Sequence, residues 1–178
     1  PYKETREHYN ELFLEQLPSL EQEIHESKNP FLESIKYAII GNIIDFNPIH
    51  ALLPSDIEAC FKRLKEEALE VDDSLLLSQE IRTAQTLLYL GDNCGEICLD
   101  KILVKKIKEL NPGCRIFFAV RGEAVVNDSV EEDAYRVGMD AYASIVSNGD
   151  SSLGTVLHRT SEEFQEIYRN ADVVIAKG

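Results

Sequence analysis

Thr86-Leu87-Leu88-Tyr89-Leu90 runs directly into Gly91-Asp92-Asn93. A short apolar run closed by polar residues beside a glycine reads as a buried strand that stops at a sheet edge. The pattern recurs. Ile116-Phe117-Phe118-Ala119-Val120 ends in Arg121-Gly122, Ala143-Ser144-Ile145-Val146 ends in Ser147-Asn148-Gly149, and Val173-Val174-Ile175-Ala176 ends in Lys177-Gly178. The spacing is regular, with 29 residues from Asp92 to Arg121, 27 from Arg121 to Asn148 and 29 from Asn148 to Lys177. Each interval fits one strand–helix–strand unit. Helices over 96–110, 129–137 and 161–169 fill the gaps, the last opened by the capping sequence Thr160-Ser161-Glu162-Glu163. Residues 83–178 are therefore expected to form an α/β core, a Rossmann-like parallel sheet with crossover helices.

Upstream, residues 1–82 read as an all-helical subdomain. Tyr9, Leu12, Phe13 and Leu17 share one helical face, and Pro18 is expected to end that helix, with Ser19 capping a short second one through Ile24. Pro30 suits the first turn of the next helix, in which Phe31, Ile35, Ala38, Ile39 and Asn42 share a face. Ile40, Ile43 and Ile44 widen it, so that helix is expected to be deeply buried. Pro48 and Pro54 bound a loop, Ser55 caps a helix to about Leu69, and after the break at Asp72-Asp73-Ser74 a further helix covers about 74–81. The chain opens on Pro1 without Met and stops just after an apolar run, so a fragment of a longer protein, incomplete at the C-terminal end of the core, is expected.

The 178 residues carry 18 Lys and Arg against 32 Asp and Glu, a formal net charge of −14. That balance argues against nucleic acid or an anionic membrane as main partner. A small phosphorylated ligand stays possible where a local site, above all one with a metal ion, opposes the global charge. No apolar run approaches the ~20 residues of a membrane span, and no signal peptide is visible. Cys60, Cys94, Cys98 and Cys114 show neither a disulfide framework nor zinc spacing, which reads as reduced thiols in a cytoplasmic protein.

In a parallel sheet every strand ends at the same edge, where ligands bind. Asp92, Asn93, Arg121, Asn148 and Lys177 are thereby expected along one edge. Gly91-Asp92-Asn93-Cys94-Gly95-Glu96 lacks the spacing of a dinucleotide fingerprint and the G-K-[ST] of a P-loop. A carboxylate beside a carboxamide offers hard oxygens to Mg²⁺ or Mn²⁺, while the same residues also make an ordinary turn and helix cap. Asp128 in Asn127-Asp128-Ser129 reads either as a cap or as a second carboxylate ligand. Lys177 reads as a phosphate-neutralising cation or as a solvated lysine at a chain end, and Ser147 to Thr155 as an anion nest or a plain loop. Arg121 at the end of the second strand suits a phosphate better than a ribose diol. Asn42 and Asp45, polar residues in an apolar helix, either pair in the core or line the cleft. Cys94 and Cys98 share a helix face without making a metal site, the four histidines are scattered, and Lys101 to Lys108 reads as a solvated helix face.

Taken together, Gly91-Asp92-Asn93-Cys94-Gly95-Glu96 with Asp100-Lys101 resembles the G-D-N-x-G-E-x-x-x-D-K signature of the damage-control phosphatase family, the domain of unknown function eighty-nine. Val120-Arg121-Gly122 with Asn127 to Ala134, Ser147-Asn148-Gly149 with Gly154-Thr155, and Ile175 to Gly178 resemble its later blocks; Gly41 to Phe46 and Pro1-Tyr2 resemble family positions in the helical part. The resemblance implies a metal-dependent phosphatase acting on small phosphorylated metabolites, including sugar phosphates and damaged phosphometabolites. It implies that Asp92, Asn93 and Asp128 ligate one divalent cation, Mg²⁺, Mn²⁺, Co²⁺ or Ni²⁺, and that Glu96, Asn148 and Lys177 fall in the substrate pocket. Cys94 departs from the usual small residue, and Asp150 to Leu153 departs from the commoner loop near the substrate.

For such chemistry Lys177 and the Asn148-Gly149 loop can stabilise the equatorial phosphoryl oxygens, and the nucleophile is water or a carboxylate, Asp92 first among them. Asp92 and Lys177 are thus the expected catalytic residues, with Glu96, Arg121, Asn148, Gly149, Asn42 and Asp45 on the substrate side. Two other classes compete: a Rossmann-like S-adenosylmethionine-dependent methyltransferase, and a non-catalytic metal- or phosphate-binding module.

Overall fold

The structure, a computed structural model, describes residues 2–43, 59, 61–62 and 68–178. Its elements are helices α1 (Lys3–Glu26), α2 (Pro30–Ile43) and α3 (Ser74–Thr83), then strand β1 (Thr86–Leu90), α4 (Glu96–Leu110), β2 (Arg115–Val120), α5 (Glu131–Arg136), β3 (Ser144–Ser147), α6 (Glu162–Asn170) and β4 (Val173–Ala176). The four strands form one parallel sheet in the order β3-β2-β1-β4. β1 therefore pairs on both sides, Leu88 lying opposite Phe117 and Val174. The strand order reverses beside β1, which places the switch point between the carboxyl ends of β1 and β4, where open α/β sheets bind their ligands.

β1 is buried along its whole length because its alternating side chains feed two cores. Leu87 and Tyr89 join the larger core under the helices, and Leu88 and Leu90 join Ala119 and Phe164 of α6 on the opposite face. α4 is apolar on most of its circumference, with Ile97, Leu99, Ile102, Val104 and Ile107 all buried. It lies between the sheet and the outer layer formed by α1 and α2.

Three expectations change. Pro18 does not end a helix, since α1 continues from Lys3 to Glu26. Pro18 lies on the exposed side, where water can take the freed carbonyl, while Tyr9, Phe13, Leu17, Leu20 and Ile24 keep the opposite face buried. α2 is not deeply buried all round: Ser34, Tyr37, Ala38 and Ile40 are buried, but Ile39 and Asn42 are exposed. Nor is the lysine run of α4 simply solvated. Lys101 donates to the Val137 carbonyl at 2.6 Å, Lys108 to that of Cys114 at 2.6 Å, and Lys105 pairs with Glu21 at 2.9 Å. Most of the expected 55–69 helix and its flanking loop, with Asp45 and Cys60, lies outside the described residues.

Candidate active site

The loops that follow β1 and β2 are joined backbone to backbone. Asp92 accepts from the Ser129 N–H at 2.8 Å, Asn127 accepts from the Cys94 N–H at 2.8 Å, and Asn93 and Asp128 form an isolated antiparallel bridge. The first loop turns into α4 at Gly95, whose φ of 71° is one that only glycine adopts at low cost. This brings Asp92, Asn93 and Asp128 to one place.

Arg121, at the end of β2, fills the centre of that place. Its Nε donates to Asp128 Oδ2 at 2.6 Å, its Nη2 to Asp92 Oδ1 at 3.0 Å and its Nη1 to Thr155 Oγ1 at 3.1 Å. The Arg121 side chain is only 4% exposed, so these are strong, charge-assisted contacts. Burial pushes the Asp128 carboxyl above its ordinary value, with the Asp92 charge adding to the shift and Arg121 opposing it. The Asn93 amide donates to Asp92 Oδ2 at 2.9 Å and to Glu96 Oε2 at 3.3 Å.

Glu96 links this group to a second one. Lys177, at the end of β4, sets its ammonium against Glu96 Oε1, against Asp100 Oδ1 at 3.2 Å and against the Ala38 carbonyl of α2. Asp100 Oδ1 also accepts from the Tyr89 hydroxyl at 2.7 Å. Glu96, Asp100 and Tyr89 are fully buried. Burial raises the Asp100 carboxyl to about 7, Glu96 adding to the shift and Lys177 opposing it. Burial alone would lower the Lys177 ammonium, but the charges of Asp100 and Glu96 outweigh it and hold it above its ordinary value.

Lys177 thus shares the sheet edge with Asp92, as the spacing predicts. Its ammonium donates to the Ala38 carbonyl and is ion-paired with two buried carboxylates within the chain. Asn148 is buried, and its Oδ1 accepts from the N–H groups of Gly122 and Asp150, both at 3.0 Å. Gly122 is required there, since a Cβ would lie 2.7 Å from the Asp150 nitrogen. Gly149 follows at φ 74°, its N–H donating to Ser147 Oγ. Asn42 is not a buried core residue: it is exposed and lines a cavity of about 280 Å³ with Ile35, Ile39, Leu103, Ile175 and Lys177. Asp92, Asn93 and Asp128 do not line that cavity; among the described residues the Lys177–Glu96–Asn93 chain of contacts joins it to their cluster.

The donor set suits a hard divalent cation. Two carboxylates converge on one positively charged group, with a carboxamide beside them. The Ser129 hydroxyl, buried next to Asp128, has no hydrogen-bond partner among the described residues. Among those residues no three His, Cys, Asp or Glu side chains gather tightly enough to hold an ion alone. A mixed acid and amide set leaves positions for water, which Mg²⁺ in particular retains.

Thr155 and Asp100, although inside the loop and the signature already quoted, and Tyr89 were not foreseen as partners of the central residues. Asp100 could have been: it stands one helical turn beyond Glu96 and so shares its face.

Fold and site define a Rossmann-type α/β domain with an acid–amide cluster at the carboxyl edge of its sheet. The chain belongs to the damage-control phosphatase family: the family model described as "Damage-control phosphatase ARMT1-like domain" matches residues 1–178. It is 36% identical over 151 residues to the damage-control phosphatase PH1575 of Pyrococcus horikoshii, covering 85% of this chain and 52% of that protein. It is 28% identical over 180 residues to a damage-control phosphatase of Archaeoglobus fulgidus, covering 100% of this chain and 61% of that one. The crystal structure of PH1575, a DUF89 family protein, superposes with a TM-score of 0.87 at 32% identity, over 99% of this chain and 60% of the other. No helix among the described residues is long and apolar enough to cross a membrane.

Proposed function

We propose that the protein to which this chain belongs hydrolyses phosphomonoesters of small metabolites, sugar phosphates or damaged phosphometabolites among them, with one divalent cation (Mg²⁺, Mn²⁺, Co²⁺ or Ni²⁺) held by Asp92, Asn93 and Asp128. The observation that carries this reading is the convergence of Asp92 and Asp128, from the loops after two neighbouring strands, on a single cationic group. Family membership adds the reaction class.

When bound, the cation supplies Lewis acidity at the phosphoryl group and activates the attacking oxygen. The chain's own residues supply the rest. Asp92 faces both Arg121 and Asn93, and is the carboxylate best placed to act on the reacting group. Arg121 keeps the two ligand carboxylates apart and oriented, and offers its charge to a phosphate that displaces them. Lys177 carries positive charge on the substrate side, where a phosphate dianion must compete with Glu96 and Asp100 for its N–H groups. Asn148 and Gly149 hold the third loop in place, and Asn42 borders the cavity beside Lys177; Asp45 is assigned to the substrate side from its sequence block alone.

The test is a phosphomonoester panel run on the whole protein with each of the four cations and with chelator. Turnover that requires a divalent cation and favours small phosphorylated metabolites supports the proposal. Turnover indifferent to chelator, or none with any cation, contradicts it.

A further inference from the structure

Helix α1 reaches the site through a buried polar network. Asn10 is fully buried; its Oδ1 accepts from the Gly95 N–H at 2.7 Å and its Nδ2 donates to Asp133 Oδ1 at 3.3 Å. Asp133 Oδ2 accepts from Arg6 Nε at 3.0 Å and from the Val130 N–H at 3.0 Å. Both ends of the network are backbone amides where helices begin. Gly95 opens α4 two residues past Asn93, and Val130 opens α5 two residues past Asp128. One side chain therefore grips the first ligand loop directly and the second through Asp133.

Stability alone does not account for this arrangement. Tyr9, Phe13, Leu17 and Ile24 already bury α1 against the core, and a buried ion pair is a poor source of stability beside apolar groups of similar size. The flanking pairs, Lys3 with Glu132 and Arg136 with Glu11, involve largely exposed side chains and contribute little. Backbone hydrogen bonds already join the two loops to each other; what the network adds is a tie of both loops to α1, at the points where they enter their helices.

We propose that Asn10, with Arg6 and Asp133, is a positioning residue that ties the loop carrying Asp92 and Asn93 and the loop carrying Asp128 to α1, and thereby sets the affinity of the site for its cation. The proposal rests on the metal reading given above. Groups that orient metal ligands without touching the metal typically shift affinity by about 10–100-fold when removed.

The test compares Asn10→Ala with Leu17→Ala in the whole protein. Leu17 is a buried apolar residue of the same helix, about two turns away and outside the network. Mn²⁺ binding is read by calorimetric titration, and exchange of the Gly95 and Val130 amides by NMR. Asn10→Ala is expected to weaken Mn²⁺ about 10–100-fold and to speed exchange at Gly95, whereas Leu17→Ala lowers the melting temperature and leaves both readings at wild type. Mn²⁺ bound by Asn10→Ala as tightly as by wild type overturns the proposal, as does an equal loss in Leu17→Ala. Asn10→Asp keeps the acceptor for Gly95, loses the donor to Asp133 and sets a second carboxylate against it. Where Asn10→Ala does not fold, wild-type Mn²⁺ affinity in Asn10→Asp overturns the proposal instead. If Asp92→Asn binds Mn²⁺ as wild type does while Asn10→Ala still frees the Gly95 amide, the metal reading falls and the tie to α1 stands.

Discussion

Replacing Lys177 by Met tests whether its ammonium is a structural counter-charge. The thioether side chain preserves the length and apolar stem of lysine and removes only the charge and its donors. Lys177 is 9% exposed at its side chain, and its partners Glu96 and Asp100 are 0% exposed. Removing one partner from a buried charge pair leaves the other uncompensated and typically costs about 3–5 kcal/mol. For a chain of this length that lowers the melting temperature by on the order of 10 °C. The loss is pH-dependent. Asp100 is already raised to about 7 with the ammonium in place, and without it the carboxyl titrates higher still. A group whose folded-state pKa is raised withdraws stability as pH rises through that pKa, so the variant suffers most near pH ~8 and recovers toward pH ~5, where Asp100 is protonated. Urea denaturation of wild type and Lys177→Met at those two pH values measures this. A difference within about 0.5 kcal/mol at both would show that the ammonium is not a structural counter-charge, because a solvated lysine costs that little to remove.

Other consequences follow from the same geometry. Asp100→Asn removes the titration, so its stability relative to wild type should climb between about pH 5 and about pH 8; a parallel pair of pH curves would contradict the raised carboxyl. Gly122→Ala drives a methyl group to 2.7 Å from the Asp150 nitrogen and the Gly149 carbonyl carbon. It should cost about 1–3 kcal/mol by overpacking and release the Asn148 loop, and an unchanged denaturation midpoint would show that the loop yields freely. Asn42 is exposed, so Asn42→Ala should change stability by less than about 0.5 kcal/mol while raising KM; a large stability loss with unchanged kinetics would return it to the core.

Much of the fold was legible because β1 and β4 are unbroken apolar runs with polar stops, and the even spacing of those stops placed Asp92, Arg121, Asn148 and Lys177 on one edge. Pro18 misled because a proline's local cost says nothing about a face buried over several turns on either side. The pairings within the site were less legible. Arg121 read as suited to a phosphate and Lys177 as a phosphate-neutralising or a solvated cation, yet each turns to carboxylates contributed by loops or helices elsewhere in the chain, a matter of side-chain direction that spacing does not set. Asn10 went unnoticed although a signal existed: Arg6 and Asn10 stand in the same helical stripe as Phe13 and Leu17, two polar residues on an apolar face, and buried polar groups need partners.

The proposed function stands or falls with Asp92, Asn93 and Asp128 as the cation site of a phosphatase. The most direct measurement is Mn²⁺ affinity and phosphomonoester turnover on the same preparations of wild type, Asp92→Asn and Asp128→Asn, each with its fold verified by circular dichroism. Wild type is expected to bind Mn²⁺ and turn over only when loaded, and each variant to stay folded while losing both binding and turnover. Wild-type turnover in either variant, or Mn²⁺ bound equally by all three, would contradict that assignment.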